Sequence, residues 1–115
     1  MLADAPFEVR VDADARVVAP VGELDLATAE AFLDRALPLA RSHGDVTVDL
    51  TATSFADSAG VSALLRLASA LEGHGRLVLA GANRPVQRTI DLVAATLGLP
   101  GIVLAATPAQ ADRSA

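Results

Sequence analysis

The sequence predicts a single α/β domain: a mixed, mostly parallel sheet of about four to five strands with helices packed against it. Three observations predict this. At 115 residues and 52% hydrophobic, the chain has the size and apolar content for one core and not for two. Along it, apolar spacing switches repeatedly between two and about 3.6, the periods of half-buried strands and amphipathic helices. After an opening pair, single helical stretches separate the strands, and strands so connected pair in parallel through right-handed crossovers, not as hairpins.

"FEVRV" and "RVVAPVGEL" read as the opening pair of strands, around a turn at Asp12 to Ala15. A first helical stretch from about Leu26 to Ser42 points Phe32, Leu33, Ala36, Leu37 and Ala40 inward. Pro38 interrupts it, removing one backbone hydrogen bond and crowding the carbonyl four residues earlier, so a kink or an early break is expected. "DVTVDL" alternates, with Val46, Val48 and Leu50 on one face and Thr47 and Asp49 on the other, which predicts one wetter sheet face. A second helix of about sixteen residues follows Ser58, with Val61, Leu64, Leu65, Ala68 and Leu71 as its buried stripe. "RLVLAG" is the next strand, a third helix buries Val86, Ile90, Val93, Ala94 and Leu97, and "GIVLA" closes the sheet. The domain is expected over residues 1–108, with a C-terminal tail at 109–115.

Aromatic content is only 3%, so the core is built from aliphatic side chains, with phenylalanine as its only large ring. All the basic residues are arginine, from which no function follows. A net charge of −5 and the lack of any basic run argue against nucleic acid and favour a basic protein partner. With no cysteine, and histidines only in the distant "SHG" and "GHG", the sequence offers no disulfide, no thiolate chemistry and no zinc site of the usual kind. No glycine pattern cradles a phosphate, since "SAGVSAL" lacks both the spacing and the lysine of a P-loop, and no cofactor is implied. "MLADAPFEVRV" lacks the basic start and apolar core of a signal peptide, so a cytoplasmic location is the expectation. Leu92 to Ala109 carries no charge, but Gly98, Pro100, Gly101 and Pro108 break it. A helix end, a turn and a short strand account for it without membrane insertion.

In a largely parallel sheet the loops that follow strands gather at the carboxyl edge, where such folds place function. Here those loops hold Glu23 and Asp25, then Asp57 and Ser58, then Asn83 and Arg84. Each histidine instead ends a helix at the opposite edge, beside a capping glycine. About sixteen residues at ~1.5 Å each hold Ser58 and His74 roughly 24 Å apart, far beyond the ~3 Å a serine nucleophile needs from its base. An enzymatic role for Ser58 is therefore not expected. Two local readings remain: Asp57 or Ser58 caps the second helix, or Ser58 carries a function of its own. Ser62, Arg66 and Ser69 share one helical face, either solvated or the footprint of a partner helix, with Leu67 as its apolar anchor. Asp25 has the same two readings, a partner contact or a cap on the first helix.

"VGELDLATAEAF", "VTVDLTATSFADSAGVSALL" and "RLVLAGANRPVQRTIDLVAATLGL" resemble, in order and at the expected separations, three segments of the STAS family. Across nearly its whole length the chain is similar to the small stand-alone anti-sigma factor antagonists of that family. The resemblance implies a STAS-like fold and a protein that is not an enzyme. It also implies that Ser58 is phosphorylated by an anti-sigma factor that is itself a serine kinase, with Asp25 and Asp57 near that partner. Such a protein binds the kinase and frees a sigma factor, lets go when phosphorylated, and is restored by a phosphatase; it is a monomer when free. The alternative is a STAS subunit of a membrane lipid-transport or signalling assembly, a structural module without the switch. Departures from the family pattern are Ala59 in place of a second hydroxyl, the small Ala56, "GVS" for Gly-Leu-Gly, and Arg84 before Pro85, which leaves Asn83 to cap the third helix.

Overall fold

The elements follow one another as β1 (Glu8–Asp12), β2 (Val17–Leu24), α1 (Ala29–Ala36), β3 (Val46–Asp49), β4 (Thr53–Ala56), α2 (Ser58–Ala70), β5 (Leu77–Ala80), α3 (Arg84–Leu97) and β6 (Ile102–Ala105). This computed structural model describes residues 6–97 and 102–105. The tail expected at 109–115 and the turn expected after the third helix lie outside the described residues.

β1 and β2 form the expected antiparallel hairpin. Its turn is held by Asp12, whose Oδ1 accepts from the Ala15 N–H at 3.0 Å, and is completed by Arg16 in the left-handed region at φ 57°. All other pairings are parallel, in the order β1-β2-β3-β5-β6. Five strands are those read from the sequence. The sixth, β4, is an addition, four residues that the sequence reading leaves in a loop.

β4 exists because β2 is long enough to serve two parallel neighbours. Val17 and Val18 pair with β3, whereas Gly22 to Leu24 pair with β4. Pro20 stands between the two stretches, where no parallel partner requires the N–H it lacks. Its carbonyl accepts the buried Thr53 hydroxyl at 2.8 Å, which anchors the start of β4. Gly22, at φ +110°, sits at a register shift within the β2–β4 pairing, between Gly22 and Glu23, a backbone conformation glycine adopts without strain.

Val18, Val46, Val48, Leu50, Leu77 and Leu79 supply the sheet side of one apolar cluster, and Phe32, Leu33, Leu64, Leu67, Leu71, Val86 and Ile90 supply the helical side. Thr47 and Asp49, on the other face of β3, are only half-buried, in agreement with the alternation of "DVTVDL". Of the phenylalanines, Phe32 is fully buried, Phe7 packs against the rim of the core and Phe55 is exposed.

Pro38 acts as its position predicts. The α-helix ends at Ala36 and continues as a 3-10 segment, Leu37–Arg41, with the proline in its first turn, where its missing N–H is not needed. The tighter winding turns Leu39 into the core, while Leu37, expected inward, is half-buried and packs against the core's edge. In α2 the expected Val61, Leu64 and Leu71 are buried and Leu65 and Ala68 are half-buried against the core, and Gly60, Ala63 and Leu67 are buried as well. Leu67 is therefore a core residue with no exposed surface, and the reading of it as an apolar anchor for a partner is corrected. The physical reason is that α2 lies between α1 and α3 over β2 and β4, so its apolar stripe is covered on both flanks.

Candidate functional site

The register of β4 builds the carboxyl edge. Leu24 of β2 pairs with Ala56 of β4, so the residues that follow them, Asp25 and Asp57, leave two adjacent parallel strands, about 4.8 Å apart, side by side. The Asp57 N–H donates to the Leu24 carbonyl at 3.3 Å and continues the strand contact into the start of α2.

Asp57, not Ser58, is the cap. Its backbone is extended at φ −98° and ψ −175°, and its Oδ1 accepts from the Gly60 N–H at 2.8 Å. Ser58 is the first helical residue and is exposed, and its hydroxyl makes no hydrogen bond among the described residues. Gly60 permits this arrangement, since a Cβ there would overlap the Leu24 carbonyl oxygen. The helix thus presses its first turn directly on the end of β2.

Asp25 is half-buried and committed to the turn that starts α1. Its Oδ1 accepts from the Ala27 N–H at 3.0 Å and the Thr28 N–H at 3.2 Å. Thr28 reciprocates: its hydroxyl accepts from the Asp25 N–H at 2.9 Å and donates to the Glu23 carbonyl at 2.7 Å. Beside this turn a cleft of about 480 Å³ is lined by Phe7, Glu23, Asp25, Thr28 and Ser54.

Along α2, Ser62, Arg66 and Ser69 are exposed on the same side as Ser58. Arg66 is not a bare cation, since its guanidinium meets Glu30 of α1 at 2.9 Å across the two helices. Asn83 caps α3 as expected, accepting from the Val86 N–H at 2.9 Å, and its amide also reaches the Thr53 and Ser54 carbonyls at 3.4 Å each. The third loop is thereby tied to β4.

Sequence reasoning missed two residues of this edge. Leu26, 80% exposed, follows Asp25, and Phe55, 47% exposed, precedes Ala56 and Asp57. They are large apolar groups left uncovered at this edge of the sheet. A lone aromatic among small polar residues in "TATSFADS" was the available signal for Phe55.

The histidines lie beyond the other ends of the helices, as expected, but together: His43 Nδ1 and His74 Nδ1 are 3.4 Å apart. α2 alone, 13 residues long, separates Ser58 from the His74 end of the molecule by ~20 Å, so neither ring reaches the serine.

The family described as "Mlab, STAS domain" matches residues 7–100. No curated protein matches the chain. Among solved structures, that of the anti-sigma factor antagonist SpoIIAA in its unphosphorylated form is similar at a TM-score of 0.69 and 24% identity, over 95% of this chain and 96% of that one. An anti-sigma-factor antagonist (STAS) domain protein from Planctomyces limnophilus gives a TM-score of 0.69 at 16% identity, over 95% of each chain. The murine anion transporter Slc26a9 shares the fold at a TM-score of 0.61 and 21% identity, over 76% of this chain and 16% of its own. No helix among the described residues is long and apolar enough to cross a membrane.

Proposed function

Because the chain belongs to the STAS domain family, we propose that it acts as an anti-sigma factor antagonist whose partner is an anti-sigma serine kinase and whose switch is phosphorylation of Ser58. One observation carries this reading: at a junction with two candidate caps, Asp57 takes the cap and leaves the Ser58 hydroxyl exposed and uncommitted. A hydroxyl with no structural task is one whose modification the fold tolerates. A phosphate on it sits at the start of α2, where first-turn N–H groups and the helix dipole favour negative charge.

The same phosphate adds about −1.5 to −2 charges to a surface that already holds Asp25 and Asp57. A partner fitted to a neutral hydroxyl then meets unbalanced charge and bulk, and releases. The unmodified surface offers the kinase Ser58 and Ser62 on α2, the Arg66–Glu30 pair, and the exposed Leu26 and Phe55 as apolar contacts in the place first given to Leu67. Sigma factor is released when the kinase is held, and a phosphatase acting on phospho-Ser58 resets the protein. The reading sets this cycle in the cytoplasm with a monomeric antagonist.

The test is an ATP-dependent gain of one phosphate with the cognate kinase, followed by titration of variants against it. Ser58→Ala binds as the wild type and cannot be modified, whereas Ser58→Asp folds normally and binds weakly. Absence of phosphate on Ser58, with equal affinities for the two variants, overturns the proposal. Asp25→Asn isolates the second contact, because the amide oxygen still accepts the turn's N–H groups while the charge is gone. Weaker binding at unchanged melting temperature is the expected result.

A second reading, a structural STAS subunit of a membrane transport or signalling assembly, is favoured by the match to the family described as Mlab and by the occurrence of this fold within a far longer anion transporter. It predicts a stable partner whose affinity is blind to Ser58→Asp.

A further inference from the structure

We infer that His43 and His74 form a binding site for a divalent transition-metal ion of the zinc class, at the edge of the sheet opposite Ser58. The site comes from strand register. β3 and β5 are parallel neighbours with Val46 opposite Leu77, and each strand has a histidine three residues before that position. The pairing delivers two rings, remote in sequence, to one place. Their Nδ1 atoms stand 3.4 Å apart while the ring centroids are 4.8 Å apart and the planes inclined by 58°, so the two nitrogens are the atoms turned toward each other.

That spacing suits a chelate. Two imidazole nitrogens bound tetrahedrally to zinc at 2.0–2.1 Å lie roughly 3.3–3.4 Å from one another. In the bound state each ring carries its proton on Nε2 and turns its Nδ1 lone pair to the ion.

The loops that present the rings are stiff. The Gly44 N–H donates to the His74 carbonyl at 2.8 Å, and the His74 N–H donates to Leu71 at 2.7 Å. Arg16 holds the other side, its guanidinium donating to the Ser42 carbonyl at 3.1 Å and hydroxyl at 2.7 Å, and to the Gly44 and Asp45 carbonyls at 2.8 and 3.0 Å. Gly75 is required for the contact, because a Cβ there would overlap the Gly44 carbonyl oxygen. A pair preorganised in this way loses little freedom on binding an ion. Asp45, two residues after His43, is engaged elsewhere: it accepts from the Arg76 N–H at 2.8 Å and meets its guanidinium at 3.5 Å. Among the described residues no group of three or more His, Cys, Asp or Glu is placed to hold a metal, so water completes the coordination and the site is open. Imidazole donors suit zinc, copper and nickel, and the spacing is compatible with a tetrahedral ion.

Zinc chloride added to the chelator-treated full chain should bind at one ion per chain, raise the melting temperature reversibly with EDTA, and shift the ring signals of both histidines in NMR spectra. His74→Ala and His43→Gln, both at exposed positions, should keep the metal-free melting temperature and each weaken zinc binding by more than about tenfold. Unchanged affinity in either variant, or no binding at millimolar zinc, overturns the inference. Ser58→Asp should bind zinc as the wild type does, so the fate of this site is read independently of the phosphorylation switch.

Discussion

Two parallel strand pairs do the same thing at opposite ends of the sheet, with opposite results. β2 and β4 pair Leu24 with Ala56 and release Asp25 and Asp57 side by side at the carboxyl edge. β3 and β5 pair Val46 with Leu77 and gather His43 and His74 at the amino edge. At the amino edge the Arg16 guanidinium and the Gly44 N–H tie three loops together, while the rings are left facing each other. At the carboxyl edge the two carboxylates are the ties. Asp25 and Asp57 each hold a helix start, and the group left over is the Ser58 hydroxyl. The difference shows that exposure alone does not mark a functional residue. Asp25, Asp57 and Ser58 share one surface, yet only the serine has no structural bond to lose.

The sharpest way to break this comparison is to crowd each edge with a methyl group. Gly60→Ala drives a Cβ into the Leu24 carbonyl from within a buried helix turn, where neither backbone can yield, and should cost about 3 kcal/mol or prevent folding. Gly75→Ala creates a similar overlap with Gly44 in a loop, which has more room to shift, and should cost about 1–2 kcal/mol. Urea denaturation of both variants checks the order. A larger loss at Gly75 would make the amino edge the more rigid of the two.

Next in size is Arg16→Ala. It removes four hydrogen bonds from a charged donor to loop 42–45 and leaves a non-glycine residue at positive φ without its compensation. About 2 kcal/mol of destabilisation is expected, together with weaker zinc binding, since the loop that carries His43 loses its clamp. Stability loss without any change in zinc affinity would separate the clamp from the histidine pair.

Why the two edges differ in legibility follows from the same pairings. The alternation in "DVTVDL" and the break at Pro38 are local signals, and the structure follows them; in the third helix Val86 and Ile90 are buried and Val93 and Ala94 half-buried, while the side chain of Leu97 lies outside the described residues. β4 has no such signal. "TSFA" buries only its first and last residues, and becomes a strand only because the second half of β2 lies beside it. In α2, alanine and leucine at seven of its thirteen positions allow several stripes. The one realised, through Gly60, Leu64, Leu67 and Leu71, is chosen by α1 and α3 on its flanks. Asp57 and Ser58 were equivalent candidates for the cap because both carry an acceptor, and only the backbone angles decide between them. The histidine pair is invisible locally, since "SHG" and "GHG" each look like a helix end and only the adjacency of β3 and β5 unites them.

The junction itself is sharpened by comparing neighbours. Asp57→Ala removes the cap and should cost about 1 kcal/mol, whereas Ser58→Ala removes a hydroxyl without a bond and should cost less than about 0.5 kcal/mol. Thermal denaturation of the two proteins side by side measures this. Equal losses would mean that the serine shares the cap, and the case for an uncommitted hydroxyl would go with it.

Arg66 decides what the exposed face of α2 is for. Its pair with Glu30 spans two helices at 2.9 Å, but the side chains are 60% and 75% exposed, and ion pairs in such positions contribute about 0–1 kcal/mol because water screens them and long side chains lose freedom. Arg66→Ala should therefore shift the melting temperature by no more than about 4 °C. If Ser62, Arg66 and Ser69 are only a solvated face, kinase affinity is equally unmoved. If a partner helix lies along them, truncation takes both the stem and the charge out of the contact, and affinity falls several-fold with no loss of stability. Glu30→Ala distinguishes the source of that fall. It leaves Arg66 in place but unpaired, so affinity retained in Glu30→Ala and lost in Arg66→Ala assigns the contact to the arginine, while parallel losses assign it to the packing of α1 against α2.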